Sequence, residues 1–108
     1  VYIYGGMNAK RRQFAIQTFI DRKETRLIIL QIQAAGQGID GLQRVSSHVL
    51  FFESSWVPGE VRQAIDRVHR IGQSDPVLAQ FLVLKDSIES QMMKSVVDKI
   101  KVIKKAVN

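Results

Sequence analysis

The chain has 108 residues, which is enough for one hydrophobic core but not for two domains. Its hydrophobic share of 45% is ordinary for a folded protein and excludes wholesale disorder. Cysteine is absent, which excludes disulfides and thiolate metal sites, and no apolar run approaches the roughly 20 residues that span a bilayer. The net charge of +6 favours a polyanionic partner, with a basic surface kept for solubility as the alternative. We expect a single intracellular domain over residues 1–108 that is neither secreted nor bound to a membrane.

Two kinds of apolar segment alternate along the chain. Continuous apolar runs such as 26–30 suit strands buried on both faces. Apolar residues at helical spacing behind the N-cap Asn8 predict a helix, and Pro58 fits the first turn of a later one, where its missing N–H is harmless. In chain order the sequence predicts a strand over 1–4, a helix over 9–20, strands over 26–30 and 48–53, a helix from 58 to the glycine at 72, a strand over 79–84 and a long C-terminal helix over 87–106.

This alternation predicts the α/β class. Right-handed crossovers between the strands give an open, mainly parallel sheet in three layers, with helices on both faces. In such folds ligands bind outside the carboxyl ends of the strands. Three segments fall at that edge by their order in the chain, namely Gly5–Gly6, the loop over 31–41 and the segment over 53–58. We therefore expect the functional site there.

The segment over 63–73 is the most informative stretch of the sequence. At helical spacing Gln63, Arg67 and Arg70 lie on one face, with two guanidinium groups side by side, and Gly72 predicts the end of the helix. Adjacent arginines repel unless an anion lies between them, and a guanidinium matches phosphate oxygens geometrically. The segment predicts a polyphosphate site, with a solvated basic helix face as the alternative.

The loop over 31–41 contains glycines at three positions. Glycine permits positive φ and lets a ligand approach backbone N–H groups closely, which is how anion-binding nests are built. The alternative is a tight turn that chain geometry alone requires. The three glycines are Gly36, Gly38 and Gly41.

A family resemblance joins these segments. Gln-Ala-Ile-Asp-Arg-Val-His-Arg-Ile-Gly-Gln over 63–73 resembles the last motif of superfamily 2 helicases, in the variant typical of SWI/SNF-like DNA translocases. The resemblance implies the C-terminal RecA-like lobe of a helicase motor, without its usual first strand and helix, and hence a fragment of a longer protein. Its companions have the expected order and spacing, which makes the signal specific: Tyr4-Gly5-Gly6 with Arg12 and Phe19, Gln33 to Asp40 resembling motif V, and Ser55-Trp56-Val57-Pro58.

The resemblance implies a nucleotide-facing role for five residues. Arg67 and Arg70 would act as arginine fingers that reach the β- and γ-phosphates of ATP held on a missing N-terminal lobe. Gln63 would position the attacking water or couple the nucleotide state to the interface between the lobes. Gly38 and Asp40 would lie near the ATP, with Asp40 accepting a ribose hydroxyl.

The resemblance also implies contacts with the nucleic-acid backbone, from Gly6, Gln31, Gln33 and Gly36. The sequence departs from the pattern here, because relatives often carry serine and threonine where this chain has Gln31 and Ile32. The expected partner is DNA, in its double-stranded form, together with the N-terminal RecA-like lobe of the same polypeptide.

Three other side chains have structural interpretations. Trp56 is expected to anchor the loop beneath the arginine helix, with a base-stacking platform as the alternative. His69 directly precedes Arg70 and lies about 100° around the helix from it. This position favours packing or hydrogen bonding over acid–base catalysis. Gln73 is expected to cap or orient the segment that follows the helix.

The sequence lacks the parts that would hold a nucleotide by itself. It has no Gly-x-x-x-x-Gly-Lys-Ser/Thr phosphate loop, no acidic pair of the metal-holding kind and no candidate metal ligands at useful spacing. We expect ATP and Mg²⁺ to be bound mainly by the missing lobe, and the isolated fragment to be inactive. The alternatives to an ATP-dependent helicase or translocase lobe are a non-catalytic nucleic-acid-binding module of RecA-like fold and a domain that recruits an acidic protein. The pair Arg67 and Arg70 favours the motor.

Overall fold

Strands and helices alternate in the order that the sequence predicts. The structure is a computed structural model that describes residues 1–34, 39–53 and 57–107, with side chains as far as residue 99. Its elements are β1 (Tyr2–Ile3), α1 (Ala9–Asp21), β2 (Ile29–Leu30), a 3₁₀ helix (Leu42–Arg44), β3 (His48–Phe51), α2 (Pro58–Asp66), β4 (Leu78–Phe81) and α3 (Ile88–Val107).

Helix α1 agrees with its prediction to within one residue. Asn8 caps its N-terminus, since its Oδ1 accepts a hydrogen bond of 2.8 Å from the Arg11 N–H. The helix ends at Asp21, and the N–H of Arg22 closes its last turn on the Thr18 carbonyl at 3.0 Å. Both ends are therefore set by local bonds, of the kind that satisfy the otherwise unpaired groups of a helix terminus.

The strands pair in parallel, as predicted. Tyr2 lies opposite Ile29 in the pair β1–β2, and His48 lies opposite Leu78 in the pair β3–β4. In the described residues these pairs form two separate two-stranded ladders rather than one continuous hydrogen-bonded sheet. Side-chain packing connects them, because Val49 of β3 packs against both core clusters.

Two apolar clusters form the core. The first lies beneath α1 and includes Ile3, Ile16, Ile39 and Val68, each at most 4% exposed. The second lies between the β3–β4 ladder and helices α2 and α3; it contains Phe51, Val61, Met93 and Val96. Full burial of such an aliphatic side chain stabilises a fold by about 1.5–3 kcal/mol. The first cluster also fixes the backbone around the candidate site, because Ile39 adjoins Asp40 and Val68 adjoins Arg67.

Helix α2 ends at Asp66, six residues before the predicted stop at Gly72, so the predicted end is wrong. In a continued helix the Val68 carbonyl would accept the N–H of residue 72. It instead accepts a hydrogen bond of 3.0 Å from the Gln73 side chain. Gly72 has a φ of +100°, a left-handed conformation that closes a turn after Arg70.

Candidate active site

Arg67 and Arg70 come together at one backbone oxygen. The Nη1 atom of Arg67 donates to the Ile39 carbonyl at 3.2 Å, and the Nη1 atom of Arg70 donates to the same oxygen at 3.4 Å. The proximity expected from helical spacing is present, but a turn produces it: Arg67 is the C-cap of α2, and Arg70 lies beyond the helix. The shared oxygen belongs to Ile39, so the pair lies near the C-terminal end of the segment over 31–41, which we call the glycine-bearing loop.

The two arginines differ in exposure. The Arg70 side chain is 37% exposed. Arg67 is half-buried, and its buried Nε atom has no hydrogen-bond partner among the residues that the structure describes. Arg67 is thus the more buried member of the pair, whereas Arg70 is the more exposed.

Asp40 supplies the negative charge of this cluster. Its Oδ1 lies 3.4 Å from Nη1 of Arg70 and accepts a hydrogen bond of 3.1 Å from Nε2 of Gln43. The hydrogen bond from Gln43 lowers the pKa of the Asp40 carboxyl below its usual value, with the backbone N–H of Gly41 as the next cause and the positive charges of Arg70 and Arg44 after it. Partial desolvation opposes this shift. The carboxylate therefore stays ionised beside Arg70 at neutral pH.

We expect Asp40→Asn to remove a small stabilisation that is present at neutral pH. The lowered pKa means that the folded chain releases this proton more readily than the unfolded chain, where an aspartate titrates near about 3.9. The contribution is therefore complete above the unfolded pKa and is lost as pH falls through the lower folded pKa. Urea unfolding of parent and variant should show a gap at neutral pH that closes below about pH 4. Asp98→Asn on the exposed side of α3 controls for one lost charge, and a gap that persists in acid would contradict the assignment.

Gln43 belongs to the site although no motif or spacing marks it in the sequence. Its side chain is buried, and its Oε1 accepts a hydrogen bond of 3.0 Å from the Gly41 N–H. Its Nε2 donates to Asp40 and also to the Ile71 carbonyl at 3.3 Å. The hydrogen bond to Ile71 joins residues 28 apart in the sequence, so no local sequence pattern indicates it.

Gln73 orients the segment after the arginine turn, as predicted. Its Nε2 donates to the Ser46 carbonyl at 2.7 Å as well as to Val68, and its Oε1 accepts from the Asp75 N–H at 3.1 Å. Of the two roles expected for His69, packing is wrong because the residue is exposed, and hydrogen bonding stays a prediction. The turn after α2 carries its side chain to the surface.

Three of the candidate nucleic-acid residues lie at one edge. Gly6, Gln31 and Gln33 are exposed and follow β1 and β2, which are parallel neighbours, so they lie beyond the same carboxyl ends. Gln31 is partly engaged already, because its Oε1 accepts a hydrogen bond of 2.8 Å from the Gly5 N–H.

The remaining candidates are not brought into this cluster. Gly36, Gly38 and Trp56 lie outside the described residues. Gln63 is exposed on α2 and makes no side-chain hydrogen bond to the described residues, while Arg67 and Arg70 are drawn to Ile39. The predicted common face of these three residues is therefore seen only for the two arginines.

The described residues show neither a metal-binding cluster nor a membrane-spanning helix. Within residues 1–34, 39–53 and 57–107, no three histidine, cysteine or acidic side chains come together to hold a metal ion. None of the helices in those ranges is both long enough and apolar enough to cross a bilayer.

Comparison with known proteins identifies the class. Residues 1–72 match the family described as the helicase conserved C-terminal domain, and the chain belongs to that family. It has the RecA-like α/β fold of a solved structure, the C-terminal part of the Fun30 ATPase domain, with a TM-score of 0.79 and 34% identity over 87% of this chain and 30% of that one. The relatives are SWI/SNF-like helicases, which confirms the family expected from residues 63–73.

Two relatives illustrate the extent of the match. The chain is 39% identical over 92 residues to the mouse DNA annealing helicase and endonuclease ZRANB3, covering 85% of the chain. It is 36% identical over 88 residues to the Saccharomyces cerevisiae ATP-dependent helicase FUN30, covering 82% of the chain. In each case the aligned part spans only 8% of the relative's length.

Proposed function

We propose that this chain is the second motor lobe of an ATP-dependent DNA helicase or translocase. In this role it supplies Arg67 and Arg70 to ATP bound on an N-terminal RecA-like lobe of the same polypeptide. The observation that supports the proposal best is the convergence of the two guanidinium groups on the Ile39 carbonyl, within 3.4 Å, at the end of the glycine-bearing loop. If Arg67 and Arg70 belonged only to a solvated basic helix face, nothing would require both guanidinium groups to donate to the same carbonyl oxygen.

The chemistry of phosphoryl transfer suits this pair. Negative charge builds on the transferred phosphoryl group, and arginine remains protonated at neutral pH. Arg70 is held by a single carboxylate and a shared carbonyl, and its side chain is exposed. A triphosphate offers it several anionic oxygens in a geometry that the guanidinium fork matches. Arginine fingers are worth about 10³- to 10⁵-fold in rate in other phosphoryl-transfer enzymes.

The cluster fits the phosphate end of a nucleotide but not a metal ion. The two guanidinium groups that share the Ile39 carbonyl are accompanied by one carboxylate, Asp40, which pairs with Arg70, so the group is net positive. The described residues bring no three potential metal ligands together. We therefore assign Mg²⁺ and most contacts with ATP to the N-terminal lobe. On this chain Asp40 and Gly38 are proposed to meet the ribose and nucleotide edge, and Gln63 to position water or sense closure.

The nucleic-acid contacts are proposed for the carboxyl edge of β1 and β2. Exposed amides and glycine N–H groups contact phosphates and sugars without reading sequence. Gly6, Gln31 and Gln33 have this character, and Gly36 follows Gln33 three residues later in the sequence. The name of the mouse relative refers to DNA, so we propose DNA as the partner, in duplex form, within an intracellular compartment.

The function is tested by comparing the full-length polypeptide with the 108-residue chain. We expect full-length protein to hydrolyse ATP faster with duplex DNA than without it, and the chain alone to show no turnover above background. The reason is that this lobe presents arginines but carries no phosphate loop. Phosphate release at saturating ATP measures both. Duplex DNA binding by the full-length protein without ATP turnover would favour the non-catalytic binding module, and turnover by the chain alone would contradict the division of the site between two lobes.

A further inference from the structure

Gln43 is buried where a polar side chain needs partners. Its side chain is 7% exposed, and no other polar or charged residue is buried among those whose side chains the structure describes. A buried amide that lacks hydrogen bonds destabilises a fold, so its bonds show what the position is built to hold. Both ends of this amide are used, the Oε1 by Gly41 and the Nε2 by Asp40 and Ile71.

These bonds join two separate parts of the candidate site. On one side Gln43 holds Asp40 and Gly41, which directly follow Ile39, the residue whose carbonyl accepts both arginines. On the other side it holds the carbonyl of Ile71, the residue after Arg70. The amide therefore spans from the end of the glycine-bearing loop to the arginine turn.

Gln43 lies beside two glycines with left-handed φ. Among the described residues, Gly41 and Gly72 are the glycines with positive φ. Gly41 donates its N–H to Oε1 of Gln43, and a Cβ atom added to Gly72 would stand 3.6 Å from Cγ of Gln43 and 3.7 Å from its Nε2. The side chain therefore borders the turn whose Ile71 carbonyl its Nε2 bonds.

We propose that Gln43 is a positioning residue that couples the glycine-bearing loop to Arg70. The inference rests on the proposed motor function. It adds a structural connection between the proposed DNA contacts and the proposed ATP contacts. A shift of the loop on DNA moves Asp40 and Gly41, and the buried amide carries that shift to Ile71 and hence to Arg70. Gln43 touches neither ligand, so its effect appears in the rate of hydrolysis rather than in the binding of ATP or DNA.

The test uses full-length protein with two changes at this position. Gln43→Leu keeps the volume and removes every hydrogen bond, whereas Gln43→Glu keeps an acceptor for Gly41 and removes the donors to Asp40 and Ile71. A displacement of about 1 Å costs roughly 100-fold in well-aligned active sites, so we expect DNA-stimulated kcat to fall about 10- to 100-fold in both variants. The KM for ATP and the Kd for duplex DNA should stay within about threefold. Gln13→Leu on the exposed side of α1 is the matched control.

The outcomes separate this inference from the proposed function. DNA-stimulated kcat within about threefold of the parent in Gln43→Glu, or a loss explained by weaker DNA binding, overturns the coupling role. Gln43→Glu decides the question if Gln43→Leu does not fold. Arg70→Ala is measured in parallel: if turnover survives there, the proposed role of Arg70 as an arginine finger fails and this inference with it. If turnover is lost in Arg70→Ala but normal in both Gln43 variants, only the coupling role fails.

Discussion

Arg70→Ala in the full-length protein is expected to abolish ATP hydrolysis, with kcat at saturating duplex DNA falling about 10³-fold or more. Arg70 is the exposed member of the arginine pair, and among the residues that the structure describes its side chain is held by Asp40 and the shared Ile39 carbonyl. Alanine removes the positive charge that the proposal places against the developing charge of the phosphoryl group. Affinity for DNA should change little, because the proposed DNA contacts lie beyond β1 and β2. Single-turnover hydrolysis and duplex binding measured on the same preparation separate the two effects.

Two companion variants sharpen this result. Arg70→Lys keeps a charge without the planar fork, so it should recover only part of the rate. Arg62→Ala is the control for loss of an arginine on the same segment; its side chain lies 3.8 Å from Asp66 on α2, a surface pair of small energetic weight. Turnover by Arg70→Ala within a few-fold of the parent would show that the finger assignment is mistaken.

Gly41→Ala is expected to destabilise the fold by about 2 to 5 kcal/mol. The residue has a φ of +103°, where a side chain is strained whatever space surrounds it. An added Cβ would also stand 2.7 Å from Cδ1 of Ile20, inside van der Waals contact. Urea unfolding of the parent and variant chains measures the difference in free energy of unfolding.

The two causes can be separated by further variants. Ile20→Val removes the Cδ1 atom, so combining it with Gly41→Ala should restore the part due to crowding and leave the backbone strain. Gly59→Ala is the matched control, since an added Cβ there meets nothing within 4 Å inside helix α2. That control should be neutral or stabilising by up to about 1 kcal/mol. A Gly41→Ala chain as stable as the parent would contradict both the left-handed φ and the contact.

Local signals predicted the helix starts, and longer-range contacts decided the rest. Helix α1 matched because Asn8 and the apolar period act within one segment. The end of α2 was missed because its last turn tightens, with the N–H groups of Arg67 and Val68 bonding carbonyls three residues back, and the Gln73 side chain then takes the Val68 carbonyl. The parallel pairing of the strands followed from their alternation with helices, but its extent did not. The run over 26–30 pairs only at Ile29–Leu30, because its partner β1 has two residues.

In the candidate site, too, local sequence signals predicted some features and long-range contacts determined the others. The closeness of Arg67 and Arg70 could be read from their spacing, since both a helix and a tight turn bring such positions together. The oxygen that receives them could not, because the Ile39 carbonyl lies 28 and 31 residues away in the chain. Gln43 was missed for a related reason, as its partners include main-chain groups, which every residue type except proline presents alike.

The acceptor shared by the arginine pair belongs to the main chain. Because every residue type has a main-chain carbonyl, no substitution at position 39 removes that oxygen. A substitution changes only the apolar side chain, which packs in the first core cluster. Exchange among aliphatic residues at position 39 should therefore be tolerated, while the proposed roles of Arg67 and Arg70 require both arginines. The acceptor of both arginines is thus a property of the main-chain fold and not of the side chain at position 39.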